Sequence, residues 1–341
     1  MITNLRVQNF RSHADFSVDF SKGPTVITGR NGAGKTSLLE AVYLVASGKS
    51  WRSNFREIVK KNEEWFRIDA EFSDIDERTI KFIDGEKSFT IGEKSAKTMP
   101  KNSRIPVILF EPNDLMIIYG SPSRRRDFFD RFISQIEPDF SAKVSRFERI
   151  LRQRNNLIKS GQASAENIFV WDVQFSELAS EISRKRAEIT EMLNRKITKN
   201  YVEISGEKHN NKSVKIKFNS DSLREKRLIF NSLSRDFANG FIMTKIGSQR
   251  DDYEFIFREK TAKTAASRGE NRTLLFAILA SFAEILNEKY QQKIFILLDD
   301  VDGELDDIHR KNLYQSPVFA KNYLLATTIR FDGKIANHIE L

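Results

Sequence analysis

Apolar and polar residues alternate near the start of the chain, which predicts β-structure there. The alternation covers 2–7 and 16–20, so we expect two paired strands. A short apolar run, Thr25–Thr28, then predicts a buried strand, and Lys35–Ala46 carries apolar residues at helical spacing with Gly48 as a stop signal. The pattern therefore indicates a strand that leads through a short loop into a buried helix.

The next segment predicts an antiparallel layer beside that unit. Alternating runs occur at Phe66–Phe72, Thr79–Ile83 and Ser88–Ile91, and Asp84-Gly85 has the composition of a tight hairpin turn. Ile105–Phe110 is continuously apolar apart from its proline, which favours another buried strand.

From Ser121 the apolar period becomes helical and stays so for about eighty residues. Ser160-Gly161 interrupts it, and a second run from Trp171 to Ile197 repeats at steps of three, four or seven. Two such runs predict an antiparallel helical arm whose apolar stripes form the arm's own core.

Sheet and helix signals alternate again in the last third of the chain. Strands are predicted at Val214–Phe218, Tyr253–Phe257, Ile294–Leu298 and Tyr323–Ala326, with a helix at Asn271–Leu286. The sequence thus predicts an α/β protein with mixed sheets. Its three expected segments are 1–112, an inserted helical subdomain at 113–245, and 246–341.

Composition narrows the classes of function. The 341 residues include no cysteine, which excludes disulfides, thiolate metal sites and cysteine nucleophiles. The formal charge of +9 favours a polyanionic partner such as nucleic acid. The amino-terminal residues lack the pattern of a secretory signal, and no apolar run is long enough to span a membrane. We therefore expect a cytoplasmic protein without a membrane partner.

The strand-to-helix junction carries the pattern G-x-x-x-x-G-K-[ST]. It is met by GRNGAGKT at Gly29–Thr36. Glycines in such a loop let backbone N–H groups converge on phosphates, the lysine reaches the β and γ phosphates, and the hydroxyl reaches Mg²⁺. We predict an ATP and Mg²⁺ site. The residues predicted to bind nucleotide here are Gly29, Arg30, Asn31, Gly32, Ala33, Gly34, Lys35, Thr36 and Ser37.

The apolar strand at Ile294–Leu298 runs directly into two aspartates. This arrangement is typical of a Walker B strand, which aims carboxylates at the metal. We predict that Asp299 binds Mg²⁺ together with Thr36, and that Asp300 orients the attacking water as a catalytic residue with Lys35.

The segment Ser267-Arg268-Gly269-Glu270 resembles the signature motif of ABC-type ATPases. That resemblance implies that Ser267 and Gly269 bind the γ-phosphate of a nucleotide held by another subunit. A helix start with Ser267 as N-cap and Glu270 three residues later explains the same residues without a ligand. Downstream, Glu304-Leu305-Asp306 resembles the D-loop of the superfamily, which adds Asp306 to the implied nucleotide site.

Taken together, these motifs resemble the RecF family, whose fold is an ABC-type P-loop ATPase head with a short helical arm. The resemblance implies an ATP-dependent homodimer that binds single-stranded, gapped or junction DNA and works with RecR and RecO in recombinational repair. The head would comprise 1–112 and 246–341. The matching segments are NFRSH, GRNGAGKTSLLEAVYLVASGKSWR, LFEPNDLMIIYGSPSRRRDFFD, LRQRN, QRDD, SRGENRT and LLDDVDGELD.

Several positions depart from the family or superfamily pattern. Ser248-Gln249 stands where Pro-His is usual, and Asp300 replaces the catalytic glutamate of transporters. Thr327-Thr328 occupies the place of the switch histidine, and Arg268 and Glu270 alter the signature. These changes favour slow hydrolysis in which ATP acts as a timer.

Basic residues along the predicted arm are candidates for DNA binding. Residues 121–160 include ten basic and five acidic side chains, and Arg124, Arg125, Arg126 and Arg146 lead the set. They would track phosphates rather than read bases. A solvated helical face with local ion pairs is the alternative. Lys49 and Arg52, beside Trp51, are further candidates for DNA contact.

Two other functions fit parts of the sequence. A transporter nucleotide-binding subunit shares the head motifs but has no use for a basic arm. A catalytically weak ABC-type scaffold fits the altered signature. One chain carries a single P-loop and a single signature segment, so the RecF-type interpretation needs a two-fold homodimer around two ATP molecules.

Overall fold

The chain is described here from a computed structural model that covers residues 1–206, 214–241, 243–301, 307–329 and 337–341. Among these residues the strands are β1 (Ile2–Phe10), β2 (His13–Asp19), β3 (Thr25–Thr28), β4 (Phe66–Phe72), β5 (Arg78–Ile83), β6 (Glu86–Ile91), β7 (Lys94–Ala96), β8 (Val107–Phe110), β9 (Val214–Asn219), β10 (Asp252–Phe257), β11 (Lys260–Thr261), β12 (Phe295–Leu298), β13 (Tyr323–Thr327) and β14 (Asn337–Glu340).

The helices lie between groups of these strands. They are α1 (Lys35–Ser47), α2 (Phe55–Ile58), α3 (Met116–Tyr119), α4 (Pro122–Ile136), α5 (Phe140–Lys159), α6 (Ala165–Asn194), α7 (Ile197–Ser205), α8 (Lys226–Ala238), α9 (Ala262–Ala265), α10 (Arg268–Tyr290), α11 (Asp307–Gln315) and α12 (Pro317–Ala320). Helices α3 to α7 follow one another between β8 and β9. No helix of the described ranges is both long enough and apolar enough to cross a membrane.

The chain divides into two compact units. The first unit consists mainly of Met1–Asn113 and Phe282–Leu341. The second consists mainly of Asp114–Val202 and residues 214–281. Residues 246–281 thus group with the second unit, whereas the sequence analysis assigned them to the head, because β10 pairs with β9 and packs on α4. The functional limits of head and arm stay a prediction.

The first unit contains an antiparallel sheet and a parallel sheet. The six-stranded sheet has the order β2-β1-β4-β5-β6-β7, and its hairpin turn at Asp84-Gly85 has two positive φ angles, 52° and 82°. The five-stranded sheet has the order β14-β3-β13-β12-β8 and all its pairs are parallel. Both layers predicted from the apolar pattern are confirmed.

Helix α1 lies against strands of both sheets and joins their cores. Residues 37–46 of this helix are all buried, which explains why nearly every position in that stretch is apolar. The helix ends at Gly48, whose φ of 77° suits glycine and whose N–H donates to the Leu44 carbonyl at 2.8 Å. This packing fixes the helix whose first turn carries the phosphate-binding motif.

The second unit combines the predicted helical arm with a three-stranded sheet of order β11-β10-β9. Helices α5 and α6 pack along each other, and Phe147 meets Phe175 with ring centroids 4.8 Å apart. The break predicted at Ser160-Gly161 is confirmed, since α5 ends at Lys159 and Gly161 has a φ of 70°. The apolar stripes therefore do form the arm's own core.

Two boundaries differ from the sequence prediction for identifiable reasons. Strand β8 begins at Val107 rather than Ile105, since Pro106 lacks the N–H that a sheet needs. Helix α10 begins at Arg268 rather than Asn271, because Ser267 and Glu270 exchange side chain-to-backbone hydrogen bonds of 3.2 and 2.8 Å at its start.

Candidate nucleotide-binding site

The phosphate-binding loop lies between the end of β3 and the start of α1, as the sequence predicts. Gly29, Gly32 and Gly34 all have positive φ angles, of 151°, 84° and 101°. A Cβ atom on Gly34 would lie 2.3 Å from the His13 ring, so a larger residue cannot occupy this position without moving the histidine. Glycine is therefore required here both by conformation and by space.

Lys35 holds the loop together in this structure. Its Nζ atom donates to the carbonyl oxygens of Gly29 at 2.6 Å and Arg30 at 3.2 Å. The loop's own carbonyls thus hold the lysine at the mouth of α1, where the amino-terminal end of the helix also favours an anion. An incoming phosphate would replace carbonyl partners with charged ones, which form stronger hydrogen bonds.

Thr36 and Asp299 meet although 263 positions separate them in the chain. The Thr36 hydroxyl donates to Asp299 Oδ1 at 2.9 Å and lies 3.1 Å from Oδ2. Parallel pairing of β3, β13 and β12 brings the carboxyl ends of β3 and β12 to one edge of the sheet. The predicted link between P-loop and Walker B strand is present at hydrogen-bond distance.

The environment of Asp299 modifies its acidity. Burial raises the pKa of Asp299 above its ordinary value, while hydroxyl donors from Thr327 and Thr36 act in the opposite direction. The Asp299 carboxylate and the Thr36 hydroxyl both offer oxygen atoms, which are the ligands that Mg²⁺ prefers. The residues present therefore fit a magnesium ion, which Thr36 and Asp299 would hold.

Asp300, the predicted water-orienting residue, directly follows Asp299. It is exposed and has a φ of 50°, which places its backbone in the left-handed region that aspartate tolerates. Asp300 and Asp299 both line the cavity that the P-loop opens into. Its catalytic role stays a prediction.

That cavity has a volume of about 610 Å³, within the usual range of small-molecule sites. Six of the nine predicted P-loop residues line it, and Ser37 is the one of these that is buried. The lining residues from the motif are Asn31, Gly32, Gly34, Lys35, Thr36 and Ser37.

Arg52, proposed from sequence as a DNA contact, lies along the nucleotide cavity and is exposed. Lys49, three positions earlier, is also exposed. Trp51 between them packs edge-on against Tyr43 at 5.1 Å and donates to Glu111 Oε1 at 2.9 Å. Of this segment, Arg52 therefore lines the cavity, and DNA contact by the two cations stays a prediction.

Sequence reasoning missed a cluster around Arg11 that supports this segment. The Arg11 guanidinium binds the fully buried Glu40 carboxylate through two hydrogen bonds of 2.8 and 2.6 Å. It also donates to Ser53 Oγ at 2.6 Å, and Ser50 Oγ donates to Glu40 at 2.6 Å. Arg11 belongs to the segment NFRSH and Ser50 to the segment that ends in SGKSWR, and the sequence analysis matched both segments to the family; Ser53 directly follows the second. That these residues contact one another could be seen only in the folded structure.

The signature segment lies in the second unit and starts α10. Ser267 Oγ accepts from the Glu270 N–H at 3.2 Å, while Glu270 accepts from the Ser267 N–H at 2.8 Å. The Glu270 carboxylate also accepts a hydrogen bond from the Arg258 guanidinium at 3.2 Å. The capping interpretation is thus confirmed as geometry, and the Ser267 hydroxyl proton stays available for another acceptor. Asp306 lies outside the described residues.

Gly269 is not explained by the chain's own packing. It is exposed, and a Cβ atom built on it would meet no atom of the described part of the chain within 4 Å. Glycine stabilises a helix less than alanine does, by about 1 kcal/mol at interior positions. Its presence is therefore compatible with close approach by a group from outside the chain.

The arm arginines separate into two sets. Arg124 is exposed, and Arg146 is exposed with a contact to Gln174 at 3.1 Å. Arg125 instead forms two hydrogen bonds with Asp252, at 2.6 and 3.0 Å, and Arg126 donates to the Asp251 carbonyl at 2.9 Å. The basic run therefore includes internal structural partners as well as surface cations.

Arg154 is one of the ten basic residues of 121–160 that the sequence analysis counted toward the basic arm surface, but it is buried, so that part of the prediction was wrong. Its side chain is 2% exposed and pairs with Asp172 at 2.6 Å. The helical period alone did not separate this arginine from its exposed neighbours, since its acidic partner lies on the next helix.

Comparison with known proteins gives the family. A sequence profile described as AAA ATPase domain matches residues 1–328. The DNA replication and repair protein RecF of Caldanaerobacter subterraneus subspecies tengcongensis is 31% identical over 322 residues, or 89% of this chain and 88% of that one. This chain belongs to the RecF family of AAA-domain ATPases.

Solved structures agree with this assignment of the RecF-family chain. The structure of the recombination mediator protein RecF-ATP in the RecFOR pathway superposes with a TM-score of 0.78 and 26% identity, covering 97% of this chain and 92% of that chain. The Smc head bound to the C-winged helix domain of ScpA gives a TM-score of 0.55 at 17% identity, covering 96% and 89%, and supports the fold alone. The fold is therefore the ABC-type P-loop ATPase head predicted from sequence.

Proposed function

We propose that this chain is an ATP-dependent DNA-binding ATPase of DNA replication and repair. The contact between Thr36 and Asp299, at 2.9 Å, carries the nucleotide part of the proposal. Lys35 would bind the β and γ phosphates, and Asp300 would orient the attacking water. Bound Mg²⁺ would neutralise charge on the phosphates.

The active form in this proposal is a homodimer with two ATP molecules between the subunits. Ser267 and Gly269 of one subunit would complete the site that Lys35 and Thr36 begin in the other. The open space above Gly269 and the available Ser267 hydroxyl proton support this assignment. Asp306 stays part of the proposed site through the family resemblance.

The DNA surface is proposed on the exposed arm cations, foremost Arg124 and Arg146. Arg125 and Arg126 would contribute by fixing α4 against β10 through Asp252 and Asp251. By resemblance to the RecF family, the DNA would be single-stranded, gapped or a junction, and the protein partners would be RecR and RecO. ATP hydrolysis would be slow. The protein would act in the cytoplasm.

Turnover and oligomeric state test the proposal together. We expect ATP hydrolysis to be slow and to rise with gapped DNA, and light scattering to detect a dimer with ATP but not with ADP. Absence of hydrolysis in every condition would favour the scaffold alternative. Hydrolysis that ignores DNA would remove the DNA part of the proposal.

Ser267→Arg separates nucleotide binding from dimer formation. The larger cation would fill the space in which a second subunit's nucleotide must sit, so we expect ATP affinity to stay within about threefold while ATP-dependent dimerisation is lost. Lys263→Arg, a change at another exposed position in the same unit, is the control. An unchanged ATP-dependent dimer in Ser267→Arg would contradict the shared site.

A further inference from the structure

Thr327 ends β13 beside the two aspartates and is almost fully buried, with 1% exposure. Its hydroxyl donates to Asp299 Oδ1 at 2.7 Å and accepts from the Asp300 N–H at 2.8 Å. One side chain thus contacts both of the acidic residues that follow β12.

The same residue also holds the turn that these aspartates begin. The Thr327 carbonyl accepts from the Val301 N–H at 3.1 Å. Asp300 adopts a φ of 50°, a conformation that costs energy for residues other than glycine unless the surroundings fix it. Two successive N–H groups of the turn therefore find their acceptors on one threonine.

Asp299 is held from two sides. The Thr36 hydroxyl from α1 and the Thr327 hydroxyl from β13 both donate to it, at 2.9 and 2.7 Å. Residues that hydrogen-bond a metal-binding carboxylate set its orientation, and their loss commonly weakens metal affinity about 10- to 100-fold. Thr36 would itself turn to Mg²⁺ in the proposed site, which leaves Thr327 as the protein donor to Asp299 among the contacts described here.

We propose that Thr327 is a positioning residue that orients the Asp299 carboxylate toward Mg²⁺ and fixes the backbone of Asp300. The inference rests on the proposed ATP site. It predicts a role for the hydroxyl group itself, whereas a threonine used only for core packing needs its shape and not its hydroxyl.

Variants that keep or remove the hydroxyl test this role. Thr327→Val keeps the branched shape and removes the hydroxyl, and Thr327→Ser keeps the hydroxyl. Thr25→Val, a buried threonine at the opposite end of the same sheet, is the control. The readout is binding of a fluorescent ATP analogue, titrated with Mg²⁺ and repeated in EDTA.

We expect Thr327→Val to raise the Mg²⁺ concentration for half-maximal binding about 10- to 100-fold. Thr327→Ser and Thr25→Val should stay near wild type. Binding in EDTA should be equal in all four proteins, because the P-loop and Lys35 are untouched. Should Thr327→Val not fold, Thr327→Ala compared with Thr327→Ser gives the same contrast.

Three results would overturn the inference. Thr327→Val could match wild type, Thr327→Ser could be as impaired as Thr327→Val, or Thr327→Val could lose binding equally in EDTA. Each means that packing rather than the hydroxyl matters, while the proposed ATP site stands. If wild type binds no ATP analogue at all, the proposed function fails and the inference fails with it.

Discussion

Two clusters of charged residues, one in each compact unit, show how differently similar side chains are used. At the nucleotide cavity, the hydrogen-bond partners of Lys35 among the described residues are the loop carbonyls of Gly29 and Arg30, and Asp300 is exposed. In the second unit, Arg186 is buried and bridges Asp130 and Asp251, with contacts of 2.7 and 2.8 Å. The first cluster opens into a space that a ligand can enter, and the second is closed by its own partners.

The closed cluster is held by more than its ion pairs. Arg186 Nη1 also donates to the Ser248 carbonyl at 2.7 Å, and Ser183 Oγ donates to Asp251 at 2.7 Å. Burial alone would lower the pKa of Arg186, but hydrogen bonding to Asp130 and that residue's charge raise it overall. Arg186 therefore links Asp130 of the segment SRRRDFFD to Asp251 of the segment QRDD, and this contact is structural. The Ser248 departure is tolerated because the contact uses the backbone carbonyl.

The largest effect is expected from opening the closed cluster. Arg186→Met should lower the free energy of unfolding by about 3–5 kcal/mol, since it leaves Asp130 and Asp251 without their buried counter-ion. Urea unfolding measures the change, and ATP affinity of the folded protein should stay the same. A loss below about 1 kcal/mol would contradict the structural role of the cluster.

Lys35→Ala tests the open cluster with the opposite signature. Losing a charged donor to phosphate should weaken ATP binding about 10- to 100-fold, since hydrogen bonds to charged groups contribute about 1.5–3 kcal/mol. The free energy of unfolding should change by less than about 1 kcal/mol. Calorimetric ATP titration measures the first effect, and equal ATP affinity in both proteins would remove Lys35 from the site.

The exposed arm cations should show a smaller, salt-dependent effect. Replacing Arg124 and Arg146 with glutamate should weaken DNA binding at low salt, and each lost phosphate contact should reduce the slope of log affinity against log salt by about 0.7–0.9. The matched control is the same charge reversal at two exposed lysines outside the arm, Lys22→Glu with Lys94→Glu, which should leave DNA affinity near wild type. An unaltered DNA affinity in the glutamate variant would exclude the arm surface.

The smallest effect is expected where charges pair at the surface. Lys143 and Glu181 lie 2.8 Å apart on α5 and α6, and their side chains are 48% and 42% exposed. Lys143→Met should change the free energy of unfolding by about 0–1 kcal/mol, because water and salt screen such a pair. Measured beside Arg186→Met, it compares an exposed ion pair with a buried one in the same unit.

The sequence was informative where the chemistry is local. The P-loop from Gly29 to Ser37 has a fixed spacing, because its backbone N–H groups and lysine must reach the phosphates while its hydroxyl reaches the Mg²⁺ beside them. Strand and helix positions followed from the apolar period, and the pairing of Thr36 with Asp299 followed from the P-loop and Walker B motifs, which both serve one Mg²⁺ ion. These features depend on neighbours in the chain or on motifs of known chemistry.

Only the tertiary structure assigned the charged residues to their partners. Arg125, Arg126 and Arg154 look equivalent to Arg124 and Arg146 along the helical period, yet folding pairs the first three internally. The reason is that whether a charge is buried depends on acidic groups brought from 18 to 127 positions away, and no local pattern records that approach. The sequence by itself determined the fold class and the phosphate loop, and the tertiary structure decided which cations stay exposed and that Thr327 contacts both aspartates.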